Sequence, residues 1–341
     1  MANETKGALT LQDVRDRALA GTWIAWYNVP TTQDFSATNA WYAGGYTATI
    51  SPAGTISKVD RIIFASDTAT AVAKGPLSSS RYMHAATGNT TDAWYGGGAF
   101  GPSIIDSIER IIFASDTATA VSRGKLSPGA TRLAAHGNTT DGWYGCGANP
   151  GALSSTTRIT FSIDLSLAVQ RGPLSTNIMY LSATGNMTDA YFGGGFYPYS
   201  AVSTVDRIIF SVDTATAVTK GPLSANRYQL AAHGNTTDAW YVGGTPSLPS
   251  GGIPTSTVQR IIFSVDTATA VTKGPLSGVK RGPTAGGNTT DAWIGGGLAS
   301  SSPSDSAGYP TTVDRIIFSS DTATAAVRGP LSSGRYGLAA N

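Results

Sequence analysis

Residues 201–244 read AVSTVDRIIFSVDTATAVTKGPLSANRYQLAAHGNTTDAWYVGG, and most of this stretch recurs along the chain. Each copy places an Asp six residues after the Arg of R-I-(I/T)-F, and G-(P/K)-L-S follows. Five copies continue with G-N-(T/M)-T-D and an aromatic-glycine segment. A period of about 50 residues is typical of propeller repeats. The Arg of the repeat stands at Arg61, Arg110, Arg158, Arg207, Arg260 and Arg315.

Each repeat divides into four short strands separated by turn residues. Strand A is R-Y-x-L-A-A, strand B is D-A-W-Y-G-G-G, strand C is V-D-R-I-I-F-S and strand D is T-A-V-x-K-G-P-L. The G-N-T-T-D segment between A and B, and D-T-A-T between C and D, are polar turns rich in Gly, Asn and Asp. We therefore predict an all-β fold, a six-bladed β-propeller of four-stranded blades covering residues 37–341.

The two ends of the repeat region are incomplete in complementary ways. The region begins with N-A-W-Y-A-G-G at Asn39, without a strand A, and ends with R-Y-G-L-A-A-N from Arg335, without a strand B. Together the two ends make one complete unit. We predict that the C-terminal strand pairs with the N-terminal blade and closes the ring.

Composition excludes several classes of function. The net charge is only +2, with 13% charged residues, so no strong field favours nucleic acid. One cysteine, Cys146, and three histidines argue against a disulfide framework or a cysteine-rich zinc site, and we expect neither metal nor cofactor. We read no signal peptide in the polar N-terminus, and no apolar run is long enough for membrane insertion.

The acidic residues follow the repeat, which argues against catalysis. Of 21 acidic residues, 15 occupy repeated turn positions or precede the strand-C Arg. A glycoside hydrolase needs carboxylates placed asymmetrically in one cleft, so we expect these residues and the repeated arginines to be structural, with no catalytic residue. His136 and His233 precede two A–B turns, where turn hydrogen bonding is a better interpretation than a shared metal.

The loops that differ between repeats are the candidate binding surface. From the last Gly of strand B to the Arg, the B–C connections hold 15, 11, 10, 11, 15 and 17 residues, whereas the A–B and C–D turns hardly vary. Divergent loops on a rigid scaffold are typical of recognition, although unselected drift also explains them. The candidates are Phe100, Phe196, Tyr197, Tyr199 and Tyr309 from B–C connections, and Arg81, Arg227, Lys280, Arg281 and Arg335 from D–A connections.

Residues 1–36 precede the repeat and read as a docking arm. Leu11 and Val14 have helical spacing behind a capping residue, and Trp23, Trp26 and Tyr27 form an aromatic segment. Such a segment needs a burial site, either on its own propeller or on a partner.

The repeat resembles kelch-type propellers in its small strand-A residues and in the double glycine of A-W-Y-G-G-G, although Val72 and Val121 stand where kelch repeats carry a Trp. Residues 201–244 more closely resemble propeller repeats of tail-fibre and other virion proteins of tailed, particularly marine, bacteriophages. That resemblance implies a non-enzymatic virion component for host recognition or decoration. Its implied partners are other virion proteins, a host surface glycan or receptor, and a second copy of the chain.

Two other functions remain open at this point. One is an intracellular kelch-like adaptor that binds a partner protein. The other is a glycan-acting enzyme of the sialidase type, because Ser211 and Asp213 resemble part of an Asp-box turn. Activity lost on changing a loop acid such as Asp305 would favour the enzyme.

Overall fold

A computed structural model describes residues 37–47, 54–163, 165, 167–246, 252–300 and 308–341. Within them, six four-stranded antiparallel sheets stand around an axis, so the predicted all-β, six-bladed propeller is confirmed. The predicted arm, with Leu11, Val14, Trp23, Trp26 and Tyr27, lies outside the described residues, as does Asp305.

The strands follow the repeat from blade to blade. Blade 1 contains β1 (Asn39–Ala43), β2 (Val59–Ile63) and β3 (Val72–Lys74), and blade 2 contains β4 (Ala85–Gly88), β5 (Asp92–Gly96), β8 (Ser107–Ile112) and β9 (Val121–Lys125). The short pair β6 (Ala99–Phe100) and β7 (Ser103–Ile104) lies in the B–C connection of blade 2. Blade 3 contains β10 (Ala134–Gly137), β11 (Asp141–Gly145), β12 (Thr156–Thr160) and β13 (Val169–Arg171).

The second half of the chain repeats the arrangement. Blade 4 contains β14 (Ser182–Gly185), β15 (Asp189–Gly193), β16 (Val205–Ile209) and β17 (Val218–Lys220). Blade 5 contains β18 (Ala231–Gly234), β19 (Asp238–Val242), β20 (Val258–Ile262) and β21 (Val271–Lys273). Blade 6 contains β22 (Thr284–Gly287), β23 (Asp291–Gly295), β24 (Val313–Ile317) and β25 (Ala326–Arg328). A three-residue 3-10 turn follows each strand C, as at Phe64–Ser66.

The ring closes through the last strand. Strand β26 (Ala339–Ala340) pairs antiparallel with β1, with Ala340 opposite Tyr42. The Trp41 amide donates a hydrogen bond of 3.0 Å to the Asn341 carbonyl. The predicted closure by the C-terminal strand is thus confirmed.

Aromatic stacking joins each blade to the next. The first aromatic residue of every strand B stacks on the Phe that follows strand C in the next blade, with ring centroids 3.8 to 4.6 Å apart. The next residue, when it is Tyr, donates its hydroxyl to a backbone carbonyl of the preceding blade, as Tyr42 does to Trp293 at 2.7 Å. Large buried aromatic surfaces thereby hold the blades in register.

The repeated arginines and aspartates also bridge adjacent blades. Asp67 in blade 1 accepts a hydrogen bond of 2.8 Å from the indole of Trp293 in blade 6 and lies 3.1 Å from Nε of Arg328 and 3.5 Å from Nη1 of Arg315. Asp116, Asp213, Asp266 and Asp321 also pair with strand-C arginines of the preceding blade. These carboxylates and arginines have the structural role that their repetition predicts.

Candidate functional site

The B–C and D–A connections meet on one face of the propeller, which we call the loop face. Isolated backbone bridges join the two kinds of connection, pairing Tyr82 with Ala99 and Met179 with Phe196. A similar bridge joins Tyr46 to Tyr336 in blade 1. The loops that vary most between repeats therefore surround one end of the propeller axis.

Six residues form a closed ring of backbone hydrogen bonds around that end of the axis. Each stands at position x of R-Y-x-L-A-A or its equivalent, and its amide donates to the carbonyl of the same position in the preceding blade, at 2.6 to 3.1 Å. All six have a left-handed backbone, with φ between 54° and 64°. This axial ring consists of Met83, Arg132, Tyr180, Gln229, Gly282 and Gly337.

The ring explains why the inner strands are shorter than predicted. We expected strand A to cover all of R-Y-x-L-A-A, but in blade 2 it begins at Ala85. A residue with positive φ cannot continue a strand, so the chain turns into the ring before the strand starts.

Four members of the axial ring are not glycine, although all six adopt the left-handed conformation that favours glycine. A left-handed conformation costs a non-glycine residue about 1 kcal/mol or more, and glycine avoids this cost, as in blades 6 and 1. Met83, Arg132, Tyr180 and Gln229 are therefore presented around the axis against a local preference for glycine. Strain held by surrounding structure is a feature of functional sites.

The axial ring surrounds a small cavity with an apolar floor, which we call the axial mouth. The cavity has a volume of about 70 Å³. Its floor includes Leu133, Leu181, Pro283 and Leu338, and its rim consists of the ring residues with Tyr336. His84 takes the place of the floor leucine in blade 2, and burial lowers its pKa well below the usual value.

Two aromatic clusters flank the axial mouth. In the first, Tyr46, Tyr82 and Tyr309 surround Tyr336, with ring centroids 5.7 to 6.4 Å from it. In the second, Tyr228 lies 5.9 Å from Tyr180 and 5.1 Å from Phe196. Burial raises the pKa of Tyr309 to about 12, so its phenol stays neutral at physiological pH.

The predicted aromatic residues divide between the clusters and the exposed loops. Phe196 and Tyr309 belong to the clusters beside the axial mouth. Phe100, Tyr197 and Tyr199 lie outside both clusters in B–C connections and are 49%, 40% and 91% exposed. The structure thus brings two of the five aromatic candidates to the mouth.

The five predicted D–A cations are buried rather than exposed on the loop face. Lys280 and three of the arginines are at most 2% exposed, and Arg281 is 9% exposed. The D–A connection turns beneath the B–C loop, whose carbonyls need donors. Arg81 pairs with Glu109, Arg335 with Asp60, and Lys280 with Asp314, while Arg227 donates to the carbonyls of Gly243 and Thr257.

The sequence did not single out the axial ring as a candidate site, because its residues belong to a repeated motif. The available signal was variation at position x, which holds Met, Arg, Tyr, Gln, Gly and Gly, whereas the position after it is Leu in four of the six copies. Spacing alone cannot show that this position turns left-handed in every blade.

The opposite end of the axis carries the two repeated histidines. Nε2 of His136 lies 3.3 Å from the carbonyl of Asn186 in the next blade, which agrees with the turn hydrogen bond expected from the sequence. Burial lowers the pKa of His136 and of His233 to about 4. Both line a cavity of about 130 Å³ with the A–B turns.

Within the described ranges, no group of three or more His, Cys, Asp or Glu residues could hold a metal ion. No helix in the described part is long and apolar enough to cross a membrane. The chain matches no protein-family model and no curated protein.

Proposed function

We propose that this propeller is a non-enzymatic recognition protein that binds a glycan on its loop face, as an adhesion component of a virion. The observation that carries the proposal is the axial mouth, where strained residues and two aromatic clusters surround an apolar floor. Sites for small ligands combine such apolar surfaces with a few polar groups that fix orientation.

The chemistry of the mouth suits a sugar. A pyranose has apolar C–H faces and a rim of hydroxyl groups. Tyrosine offers a flat apolar ring with one polar edge, so it can cover a C–H face while its hydroxyl stays hydrated or bonded. Tyr180 and Tyr336 provide such rings at the mouth, and Gln229 adds an amide that can donate and accept hydrogen bonds.

The carboxylates near the loop face support binding over hydrolysis. Glycoside hydrolysis uses two carboxyl groups that flank the bond to be broken. Asp60, Glu109 and Asp206 are instead buried and accept hydrogen bonds from serine residues. Asp106 is partly exposed and pairs with Lys125 at 3.0 Å.

The placement in a virion rests on the resemblance of the repeat to bacteriophage propellers. A closed propeller held by repeated stacking and ion pairs suits a particle surface, where a rigid base must carry variable loops. In this setting the loop face meets the host, and residues 1–36 supply an attachment to other virion proteins.

The test is binding of the purified, labelled protein to intact bacterial cells and to their extracted surface polysaccharides. The test variant, Tyr82→Ala with Tyr228→Ala, removes one ring from each cluster. The control, Tyr199→Ala, removes an exposed ring elsewhere on the same face. We expect saturable binding that is lost in the double variant and kept in the control.

Three results would contradict the proposal. A folded protein that binds no polysaccharide from any host panel would favour a purely structural or adaptor role. Binding that survives in the folded double variant would place the site elsewhere. Release of new reducing ends from the bound polysaccharide would show catalysis.

A further inference from the structure

We propose that the axial mouth recognises an acidic sugar, a pyranose carrying a carboxylate, and that Arg132 binds this carboxylate. The inference rests on the proposed glycan binding and assigns a ligand class to it. It starts from the charge of one ring residue and from the groups around it.

Arg132 is distinguished from most other arginines of the propeller by its lack of an acidic partner. The strand-C arginines, and Arg81 and Arg335 of the D–A connections, pair with carboxylates, as Arg207 does with Asp189 and Arg335 with Asp60. Among the described residues, no carboxylate lies within ion-pair distance of Arg132, whose guanidinium lies 5.0 Å from the centre of the Tyr180 ring. The guanidinium also hydrogen-bonds to the Tyr180 hydroxyl, and because it has five N–H donors the others remain for a ligand.

The charges around the mouth are of one sign. The other five ring residues are uncharged, and Arg281, beside Tyr309, adds a second cation nearby. The described acidic residues of this face are buried with partners, as Glu109 is with Arg81 and Asp206 with Ser175, or paired at the rim, as Asp106 is with Lys125. The mouth therefore has a local excess of positive charge although the whole chain carries only +2.

The hydrogen bonds of the axial ring hold the backbone of Arg132 in place. Its amide donates to the Met83 carbonyl at 2.8 Å, and its carbonyl accepts from the Tyr180 amide at 2.9 Å. A side chain anchored at both peptide groups and stacked on a ring loses little freedom when a ligand binds. A planar guanidinium can then take a carboxylate through two parallel hydrogen bonds.

The apolar floor determines how the sugar lies. A carboxylate cannot enter a floor of Leu133, Leu181 and Leu338 without losing its hydration, so the charged group stays at the rim beside Arg132. A C–H face of the ring then covers the floor. The remaining sugars of the chain extend over the tyrosine clusters.

The experiment compares an oligosaccharide ending in a hexuronic acid with the same oligosaccharide after reduction of its carboxyl group to a primary alcohol. Binding is measured at two salt concentrations. Arg132→Gly is the test variant, because glycine suits the left-handed backbone and occupies this position in two other blades. Lys125→Gln is the control, because it removes one exposed positive charge from a B–C rim pair.

We expect the acidic oligosaccharide to bind the wild-type protein at least tenfold more tightly than the reduced one. Arg132→Gly should abolish this preference while the melting temperature stays equal or rises. Lys125→Gln should keep the preference.

Other outcomes separate this inference from the proposal beneath it. Equal binding of the acidic and reduced oligosaccharides overturns the inference and leaves glycan recognition standing. A preference that persists in Arg132→Gly, or is lost equally in Lys125→Gln, overturns the assignment to Arg132. Failure of both oligosaccharides and of all host polysaccharides to bind overturns the proposed function itself.

Discussion

At the scale of single residues, we expect His136 and His233 to make the propeller sensitive to acid. Both are buried at the turn end of the axis, where their rings lie 6.3 Å from Phe210 and Phe318. Their pKa values of about 4 lie below the usual 6.5, because burial disfavours the charged ring. The unfolded chain then binds more protons than the folded one between pH 6.5 and 4.

We therefore predict that stability contributed by the neutral histidines is complete above pH 6.5 and is lost as the pH falls toward 4. The loss approaches roughly 3 kcal/mol for each histidine. The variant His136→Thr with His233→Thr restores the residue found at Thr87 and Thr184. Urea unfolding from pH 7.5 to 4 should show a flatter stability curve for this variant.

The comparison has an internal control above pH 6.5. There the histidines of the wild type are neutral in both the folded and the unfolded chain, so removing them changes no protonation energy. The double variant should therefore be as stable as the wild type, or slightly less stable because it has lost the packing of the two rings. Parallel curves for the two proteins down to pH 4 would contradict the titration argument.

At the scale of elements, the turn after strand D depends on direct backbone contact between blades. The amide of Gly274 donates to the Asp321 carbonyl at 2.7 Å. A Cβ added there would lie 2.0 Å from the carbonyl oxygen of Ala323. The same close approach recurs at Gly75, Gly172, Gly221 and Gly329.

We predict that Gly274→Ala lowers the free energy of unfolding by more than about 2 kcal/mol, because backbone on both sides must move. The matched control is Gly278→Ala, four residues later, where an added Cβ meets no atom within 4 Å. That change should be neutral or stabilise slightly. Equal effects in denaturant titrations would contradict the packing argument.

The sequence predicted the elements well, and predicted less well what their connections do. The strands and ring closure followed from repetition, since period and turn chemistry are local properties. Arg81 and Arg227 were candidates because their D–A connections lie on the same face as the variable loops, yet buried carbonyls and Glu109 hold their side chains inside. The left-handed backbone at Arg132 depends on a hydrogen bond from another blade, which spacing along the chain does not show.

At the scale of the whole molecule, the six blades form one cooperative ring, and the last few residues complete it. Leu338 and Ala339 are buried, and β26 fills the inner position of blade 1. Gly337 links the axial ring on both sides, accepting from the Met83 amide and donating to the Gly282 carbonyl. These residues therefore connect the first and last blades both at the inner edge and at the mouth.

We predict that deleting residues 336–341 lowers the free energy of unfolding by roughly 4 kcal/mol or more. The deletion exposes the edge of β1 and removes buried apolar surface and several backbone hydrogen bonds. Adding the synthetic peptide Y-G-L-A-A-N should raise the melting temperature of the truncated protein in proportion to the logarithm of its concentration, whereas a scrambled peptide should not. An unchanged melting temperature after the deletion would contradict closure by the C-terminal strand. A destabilised protein that the peptide cannot rescue would instead mean that covalent linkage to blade 6 is needed to hold this strand in place.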